Sequence, residues 1–399
     1  MADSVLLKSV RPMAGPVIDV LIVDGCFAVM KSDAGALSPS ETIDGRNAIL
    51  LPGLIEAHTH LDKSLLGLPW YRNEVGPLLI DKITNERENK QALGIDPQVQ
   101  SERQAILSMS KGSTHIRSHV DVDTVHALKG IEGVMATRDK LADFIDIQIV
   151  AFPQSGMMIR PGTAELMNEA MKLGCDVVGG LDPCGIDRDP KGHLDTIFEL
   201  AQHYARPLDI HLHERGEMGG FSMELIIERT AALGMQGQVT ISHAFCLGNP
   251  DRTYVAELTE QLAKHQIHIM TTGPAAAPAP MVKELLSAGV KVCSGSDGIR
   301  DTWGPFGNAC LIERAMFIAQ RNNLRRDDEV ELALDICTRG GASVMALEDY
   351  GLAPGCKADA VLLQAESLTE AVATRPPRQL VLKRGKVIAR DGQCLMPFP

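Results

Sequence analysis

The sequence predicts an α/β protein: a (β/α)8 barrel carrying a small β-sandwich domain formed by both chain ends. Three observations predict it. Eight short apolar runs lie in the chain, near 51–58, 115–120, 147–152, 177–181, 208–212, 239–245, 267–271 and 290–293. Segments of helical periodicity lie between them, as at 98–111, 164–173, 197–203, 223–233 and 254–265. Both ends are β-rich, and neither has enough apolar surface for a core of its own. Strand-then-helix alternation implies parallel strands joined by helical crossovers, and eight such units match a barrel. An open doubly wound sheet shares that alternation, but no G-x-G-x-x-G follows an early strand.

The elements follow in order. Residues 5–10, 17–23 and 28–30 read as strands between Pro, Gly and Asp turns. Residues 358–363, 380–382 and 385–392 read the same way at the other end. Residues 1–53 and 346–399 are therefore expected to share one small β domain, with the barrel spanning 54–345. No close repeat and no low-complexity linker interrupts the pattern.

Composition narrows the function. The chain has 399 residues, 45% hydrophobic and 23% charged, as in ordinary globular proteins. A net charge of -12 argues against nucleic acid as a partner. No apolar run is long enough to span a bilayer, and the start Met-Ala-Asp-Ser-Val lacks the pattern of a signal peptide. The nine cysteines are scattered without a C-x-x-C pair, which reads as free thiols in a reducing, cytoplasmic setting.

In a barrel of this kind the active-site residues come from the C-terminal ends of the strands. The first run ends in His58 and His60. Residues i and i+2 of a strand share a side, so two imidazoles aim at one point, which is half of a metal site. The second run ends in His119 and Asp121, and the third in Gln154. The fourth ends in Asp182, and the fifth in His211, His213 and Glu214. The sixth carries His243, and the eighth ends in Asp297. One histidine after an apolar run is more often structural than functional. Several strands ending in His or Asp need a partner for each buried polar group, and a metal supplies it. Imidazole and carboxylate donors favour Zn²⁺, with Fe²⁺ the second choice. Three histidines and one aspartate leave a position for a water, whose pKa the ion lowers to roughly 7. Glu214, three residues after His211, suits a proton shuttle that is not a ligand.

These residues also carry a family resemblance. The chain shows His58-Thr-His-Leu-Asp62, Ala151-Phe-Pro-Gln-Ser-Gly156, His211-Leu-His-Glu214, Ser242-His243 and Ser296-Asp-Gly-Ile-Arg-Asp-Thr-Trp303. In these motifs it resembles the amidohydrolase superfamily, and within it the cytosine deaminase-like branch. The resemblance implies that His58, His60, His211 and Asp297 bind one divalent ion. It implies that His243 bonds the attacking hydroxide or the developing oxyanion, and that Glu214 passes a proton to a ring nitrogen. Asp297 would also accept the water's proton and hand it to the leaving amine. No lysine ends the fourth strand, where binuclear members carry a bridging one. Branch members place an acid or Asn where this chain has Gly298.

Further residues have two readings each. The Gln154 amide suits the N–C=O edge of a heterocycle, or is a buried loop amide. Trp303 stacks on a flat ring, or packs. His213 touches substrate or supports the ligands, and Asp182 is a weaker substrate candidate. His119 and Asp121 would orient ligands or the loop, and Asp62 would cap the following turn. Met157 and Met158 form a soft apolar wall, or packing, and the small residues at 274–280 leave space, or form a plain loop.

The expected function is a metal-dependent hydrolytic deaminase of an aminated N-heterocycle, cytosine-like pyrimidine, pterin or triazine, that releases ammonia. The alternative releases an alkylamine from an N-alkyl aminotriazine. A ring-opening cyclic amidase and a catalytically silent binding barrel stand further off. The expected partner is a small heterocycle, with no nucleic acid and no membrane. Barrels of this superfamily often form homo-oligomers.

Overall fold

The computed structural model describes residues 4–31 and 39–399. Residues 1–3, part of the N-terminal reading against a signal peptide, lie outside the described residues. So do residues 32–38 of the expected small domain.

Eight parallel strands form the central sheet: β6 (Leu54–Thr59), β7 (Ser113–Asp121), β8 (Asp146–Phe152), β9 (Val177–Leu181), β10 (Leu208–His211), β11 (Val239–Ser242), β12 (His268–Met270) and β13 (Val292–Cys293). Each neighbours the next in chain order. The ring closes where the chain beyond β13 returns to β6. Ala57 N–H donates to Ser294 O at 3.1 Å, and Asp297 N–H donates to His58 O at 2.9 Å. The barrel expected from the alternation is therefore present.

One predicted run differs. The apolar stretch at 51–58 is two strands, β6 and a preceding β5 (Ile49–Pro52), broken at Gly53. A Cβ at Gly53 would fall 2.2 Å from Thr114 Oγ1, so the crossing from one sheet to the other needs glycine. Apolar periodicity cannot see this break, because the residues on both sides of it are buried.

Local signals start the helices. Asp96 accepts from the N–H groups of Gln98 and Val99 and is followed by Pro97, which opens helix Pro97–Ser110. Asp189 and Pro190 repeat the device for helix Pro190–Tyr204, and Asp251 caps helix Arg252–Lys264. Helices Leu79–Asn89, Lys129–Lys140, Leu311–Arg321 and Asp327–Asp335 occupy stretches where the sequence reading marked none. The helices pack on the barrel through residues such as Ile116, Ile149, Ile210, Ile241 and Ile269, all without exposure. Each such side chain contributes about 1.5–3 kcal/mol of burial free energy.

The small domain takes β1 (Ser4–Pro12), β2 (Ile18–Val23), β3 (Cys26–Lys31), β4 (Glu41–Asp44) and β5 from the front of the chain. It takes β14 (Ala360–Leu363), β15 (Arg378–Lys383), β16 (Lys386–Arg390) and β17 (Gln393–Cys394) from the back. Eight of the nine strands form one path that passes through β1, and β4 pairs with β1 off that path; the first part of β1 pairs with β2 and its last residues pair with β5. Leu7, Val10, Val20 and Ile22 from one half meet Leu50, Ala360, Leu362 and Leu382 from the other in a single core. This domain docks at the N-terminal ends of the barrel strands, away from the polar strand ends. Lys383, fully buried, reaches across and donates to Thr114 O (3.1 Å), Asp146 Oδ2 (2.8 Å) and Asp359 Oδ2 (2.6 Å).

Candidate metal centre and active site

The strand ends bring the predicted polar residues to one point. Donor atoms of His58, His211, His243 and Asp297 all lie within 4.8 Å of one another. His60 falls outside that set, yet its Nε2 is 3.2 Å from Asp297 Oδ1, while His58 Nε2 is 3.7 Å from the same oxygen. The His58 and His60 rings stand 5.6 Å apart, centre to centre, as the i, i+2 spacing requires. His211 stacks on Phe152 at 4.1 Å. The local backbone is strained to make this arrangement: His243 (φ 70°), Asp297 (φ 63°) and Asp182 (φ 35°) all have positive φ without being glycine.

The donor set fits a divalent ion. Among the described residues, His58 Nε2, both His211 nitrogens and His243 Nε2 are buried without a hydrogen-bond partner. Leaving one buried polar atom unpaired costs about 1–3 kcal/mol, so three such imidazoles facing one carboxylate call for a shared cation. Burial depresses the pKa of His58, His211 and His243, which keeps them in the neutral form a metal needs. Burial alone would raise the Asp297 carboxyl, but the imidazoles around it win and hold it well below the usual range. His60 Nδ1 lies 3.0 Å from His119 O, which can only accept, so Nδ1 carries the proton and Nε2 keeps its lone pair.

Asp182 organises the neighbouring strand end. Its Oδ1 accepts from His213 N–H (2.6 Å) and Glu214 N–H (3.2 Å). Its side chain is nearly fully buried. His213 stacks on His243 at 4.4 Å. Glu214 is buried, not an exposed loop acid. Its Oε1 accepts from Cys184 N–H (2.8 Å) and Gly185 N–H (2.7 Å), and its Oε2 accepts from the Ser222 hydroxyl. Burial raises its pKa against these donors.

Beside the imidazoles lies a second group of polar residues, of which Lys63, Glu86 and Lys90 were not found from sequence. Lys63 Nζ donates to Gln154 Oε1 (2.7 Å), Asp121 Oδ1 (3.0 Å) and Glu86 Oε1 (3.1 Å). Lys90 Nζ donates to Asp62 Oδ2 (2.7 Å) and Asp121 Oδ2 (3.0 Å). The Trp303 indole N–H donates to Glu86, and its ring packs with Phe152, Leu181 and Ile186. Asp62 is therefore an ion-pair partner and not a turn cap. Asp121 binds two lysines, and His119 supports His60 through its backbone carbonyl. Gln154 has its oxygen occupied and its NH₂ left to donate. Met157 is core packing. Lys63 directly follows the His-x-His-Leu-Asp run, and that adjacency was the available signal. Glu86 and Lys90 share one helical face at i, i+4, which signals proximity to each other but not to the site.

Gly298 also has a structural reason. A Cβ there would fall 2.0 Å from Asp301 Oδ2. Asp301 occupies the space next to Asp297 that a side chain at 298 would enter. Its Oδ1 accepts from Trp303 N–H at 2.8 Å.

The strand ends of the parallel barrel gather four histidines and an aspartate, a donor set that could hold a metal ion. The chain belongs to the amidohydrolase family, whose model matches residues 41–389. Relatives named as amidohydrolases and deaminases share its fold, and the chain is a hydrolase of that kind. It is 33% identical to an N-isopropylammelide isopropyl amidohydrolase of Pseudomonas sp. strain ADP, over 88% of each chain. The structure of N-isopropylammelide isopropylaminohydrolase from Burkholderia multivorans superposes with a TM-score of 0.95 at 46% identity, covering 98% of this chain and 100% of that one. A 5-methylcytosine deaminase from Klebsiella pneumoniae, liganded with 5-fluorocytosine, superposes with a TM-score of 0.85 at 28% identity, covering 96% and 97%. Among the described residues, no helix is long and apolar enough to cross a membrane.

Proposed function

We propose that this chain is a metal-dependent aminohydrolase that removes an alkylamine from a ring carbon of an N-alkylamino triazine. The observation that carries the reading is the convergence of partnerless imidazole nitrogens on Asp297. His58, His60, His211 and Asp297 would hold one divalent ion, Zn²⁺ before Fe²⁺. Such an ion, when bound, lowers the pKa of water and polarises the reacting carbon's substituents.

The chain's own groups then divide the work. Asp297 accepts a proton from the attacking water. Glu214, its carboxyl kept protonated more readily by burial, gives its proton to the adjacent ring nitrogen. The new C–O bond forms as that nitrogen takes its proton. His243 Nε2, free of any protein partner, meets the developing oxyanion. The C–N bond breaks as the leaving amine takes the proton held by Asp297. The remaining hydroxyl proton passes to Glu214, leaving a ring carbonyl beside the protonated ring nitrogen and a free amine. The Gln154 NH₂ donates to a ring carbonyl, and Trp303 walls the ring.

The 46% identity to an isopropylaminohydrolase supports an alkylamine as the leaving group, ahead of the ammonia favoured from sequence. The likeness to a 5-methylcytosine deaminase supports ammonia release as the second reading. The nine free cysteines support a cytoplasmic setting, which cell fractionation checks.

The test gives metal-loaded protein N-isopropylammelide and 5-methylcytosine in parallel and assays isopropylamine and ammonia. Isopropylamine release that falls about 10²–10⁴-fold in Glu214→Gln is the expected result. Ammonia from the pyrimidine alone moves the assignment to the second reading. No amine from either, with one ion bound, removes both.

A further inference from the structure

We infer that Ser242 and Asp209 are positioning residues that fix which nitrogen of His58 faces the ion, and through it the protein's metal affinity. The inference rests on the reading of His58 as a ligand.

The argument starts from register. Arg117 stands two residues before His119 on β7, and Asp209 stands two before His211 on β10. Each therefore points the same way as the imidazole above it, one layer deeper in the barrel. Arg117, Asp209 and Ser242 are all buried. Arg117 Nη1 donates to Asp209 Oδ2 at 3.0 Å. Ser242 Oγ donates to Asp209 Oδ1 at 2.6 Å. His58 Nδ1 lies 3.1 Å from Ser242 Oγ.

The direction of this chain has one solution. A guanidinium only donates, so Asp209 accepts on one side. A carboxylate only accepts, so the single hydroxyl proton of Ser242 points at Asp209 on the other. Ser242 Oγ is then left to accept, and His58 Nδ1 must carry a proton. The lone pair of His58 is thereby placed on Nε2, the atom that faces Asp297 without a hydrogen-bond partner among the described residues. Asp209, held by Arg117, thus sets the ligand's tautomer through Ser242.

The same geometry rules out a competing use. Donors of His58, His119 and Asp209 lie within 4.8 Å of one another and resemble a second cation site. Asp209 already serves Arg117 and Ser242 there, and a second dication would face a buried guanidinium. One ion per chain is expected.

The experiment measures Zn²⁺ stoichiometry and affinity by chelator competition, without substrate. Wild type should bind one ion. Ser242→Ala should bind it about 10–100-fold more weakly, and Ser242→Thr, which keeps the hydroxyl, should recover most of the loss. Asp209→Asn turns its NH₂ away from Arg117 and towards Ser242. The hydroxyl then donates to His58 Nδ1, the proton moves to Nε2, and affinity should fall at least as far. Histidine ¹⁵N spectra of the zinc-loaded wild type should show a protonated Nδ1 on His58. Unchanged affinity in Ser242→Ala, or a His58 proton on Nε2 in the wild type, overturns the inference. Should both variants fail to fold, the wild-type spectrum still decides it. A wild type that binds no ion removes the ligand reading instead, so the two failures are distinct.

Discussion

Asp182 and His213 are joined twice: Asp182 Oδ1 accepts the His213 backbone N–H at 2.6 Å, and Oδ2 lies 2.7 Å from His213 Nδ1. One carboxylate therefore fixes both the backbone and the ring of a residue that stacks on His243. The same Oδ1 holds Glu214 N–H. Burial disfavours a charged His213, but the adjacent Asp182 carboxylate overrides it and raises the imidazole pKa. Asp182→Ala should lower kcat about 10–100-fold while leaving one ion bound, as loss of an orienting partner does. Steady-state kinetics with metal analysis checks this. A kcat within twofold of wild type would return Asp182 to a purely structural place.

The space at position 298 is already taken by Asp301. Gly298→Asn places its Cβ against Asp301 Oδ2 and forces that carboxylate off the N–H groups of Trp303 and Gly304. The expected cost is about 1–3 kcal/mol of stability, with a higher KM as Trp303 loosens. The double variant Gly298→Asn, Asp301→Ser should regain part of the stability. Thermal unfolding of the three proteins decides the matter, and equal Tm values for the single variant and wild type would contradict the clash.

Lys63 is surrounded by Glu86, Asp121 and Gln154, all buried. Burial alone would neutralise this lysine, but the acids around it keep its ammonium charged. Lys63→Met leaves those acids with one cation, Lys90, in place of two. Removing one member of a buried ionic group costs about 3–5 kcal/mol. Trp303 emission should shift as well, because its indole partner Glu86 loses its anchor. Urea titration followed by tryptophan fluorescence reads both effects. A loss under about 1 kcal/mol would show that the network relaxes without strain.

The interface between the two domains predicts a pH response. His115 Nε2 lies 3.2 Å from Asp146 Oδ2, and Lys383 bonds the same oxygen. Burial holds the His115 imidazole below its ordinary value, so the folded chain carries it neutral. Below about pH 6.5 the unfolded chain takes up a proton that the folded chain refuses, and stability falls with pH. Burial works against the Asp146 carboxylate, yet the His115 bond and the Lys383 ammonium hold it well below the usual range. Its contribution is present above about pH 3.9 and is lost as the pH drops further. Chemical denaturation between about pH 7 and pH 5 should show the decline. His115→Gln should reduce its slope by up to about 1.4 kcal/mol per pH unit. A variant as steep as wild type would exclude His115 as a source.

Much of this architecture was legible because buried parallel strands read as short apolar runs, and polar residues at their ends stand out against them. His58, His211, His243 and Asp297 were found that way. Helix Leu79–Asn89 was missed because it buries only Ile83 and Glu86. A helix with one apolar anchor leaves little 3.6-residue periodicity to read. With it went the network of Lys63, Glu86 and Lys90, because Lys63 is distant from that helix in sequence and meets it only in the folded chain. The break at Gly53 was hidden for a different reason. It depends on the space beside Thr114, which no one-dimensional pattern contains.

The seam of the barrel and the proposed centre are the same place. Asp297 supplies a backbone N–H to His58 O, its own carbonyl accepts from Thr59 Oγ1 at 2.8 Å, and its carboxylate faces His58 and His60. The first and last strands of the cylinder are thus joined by the residue that completes the donor set. During synthesis, a chain ending near residue 290 would hold three of the four donors and an open edge. Neither can be finished before the other. Capture of the ion should therefore coincide with closure of the barrel.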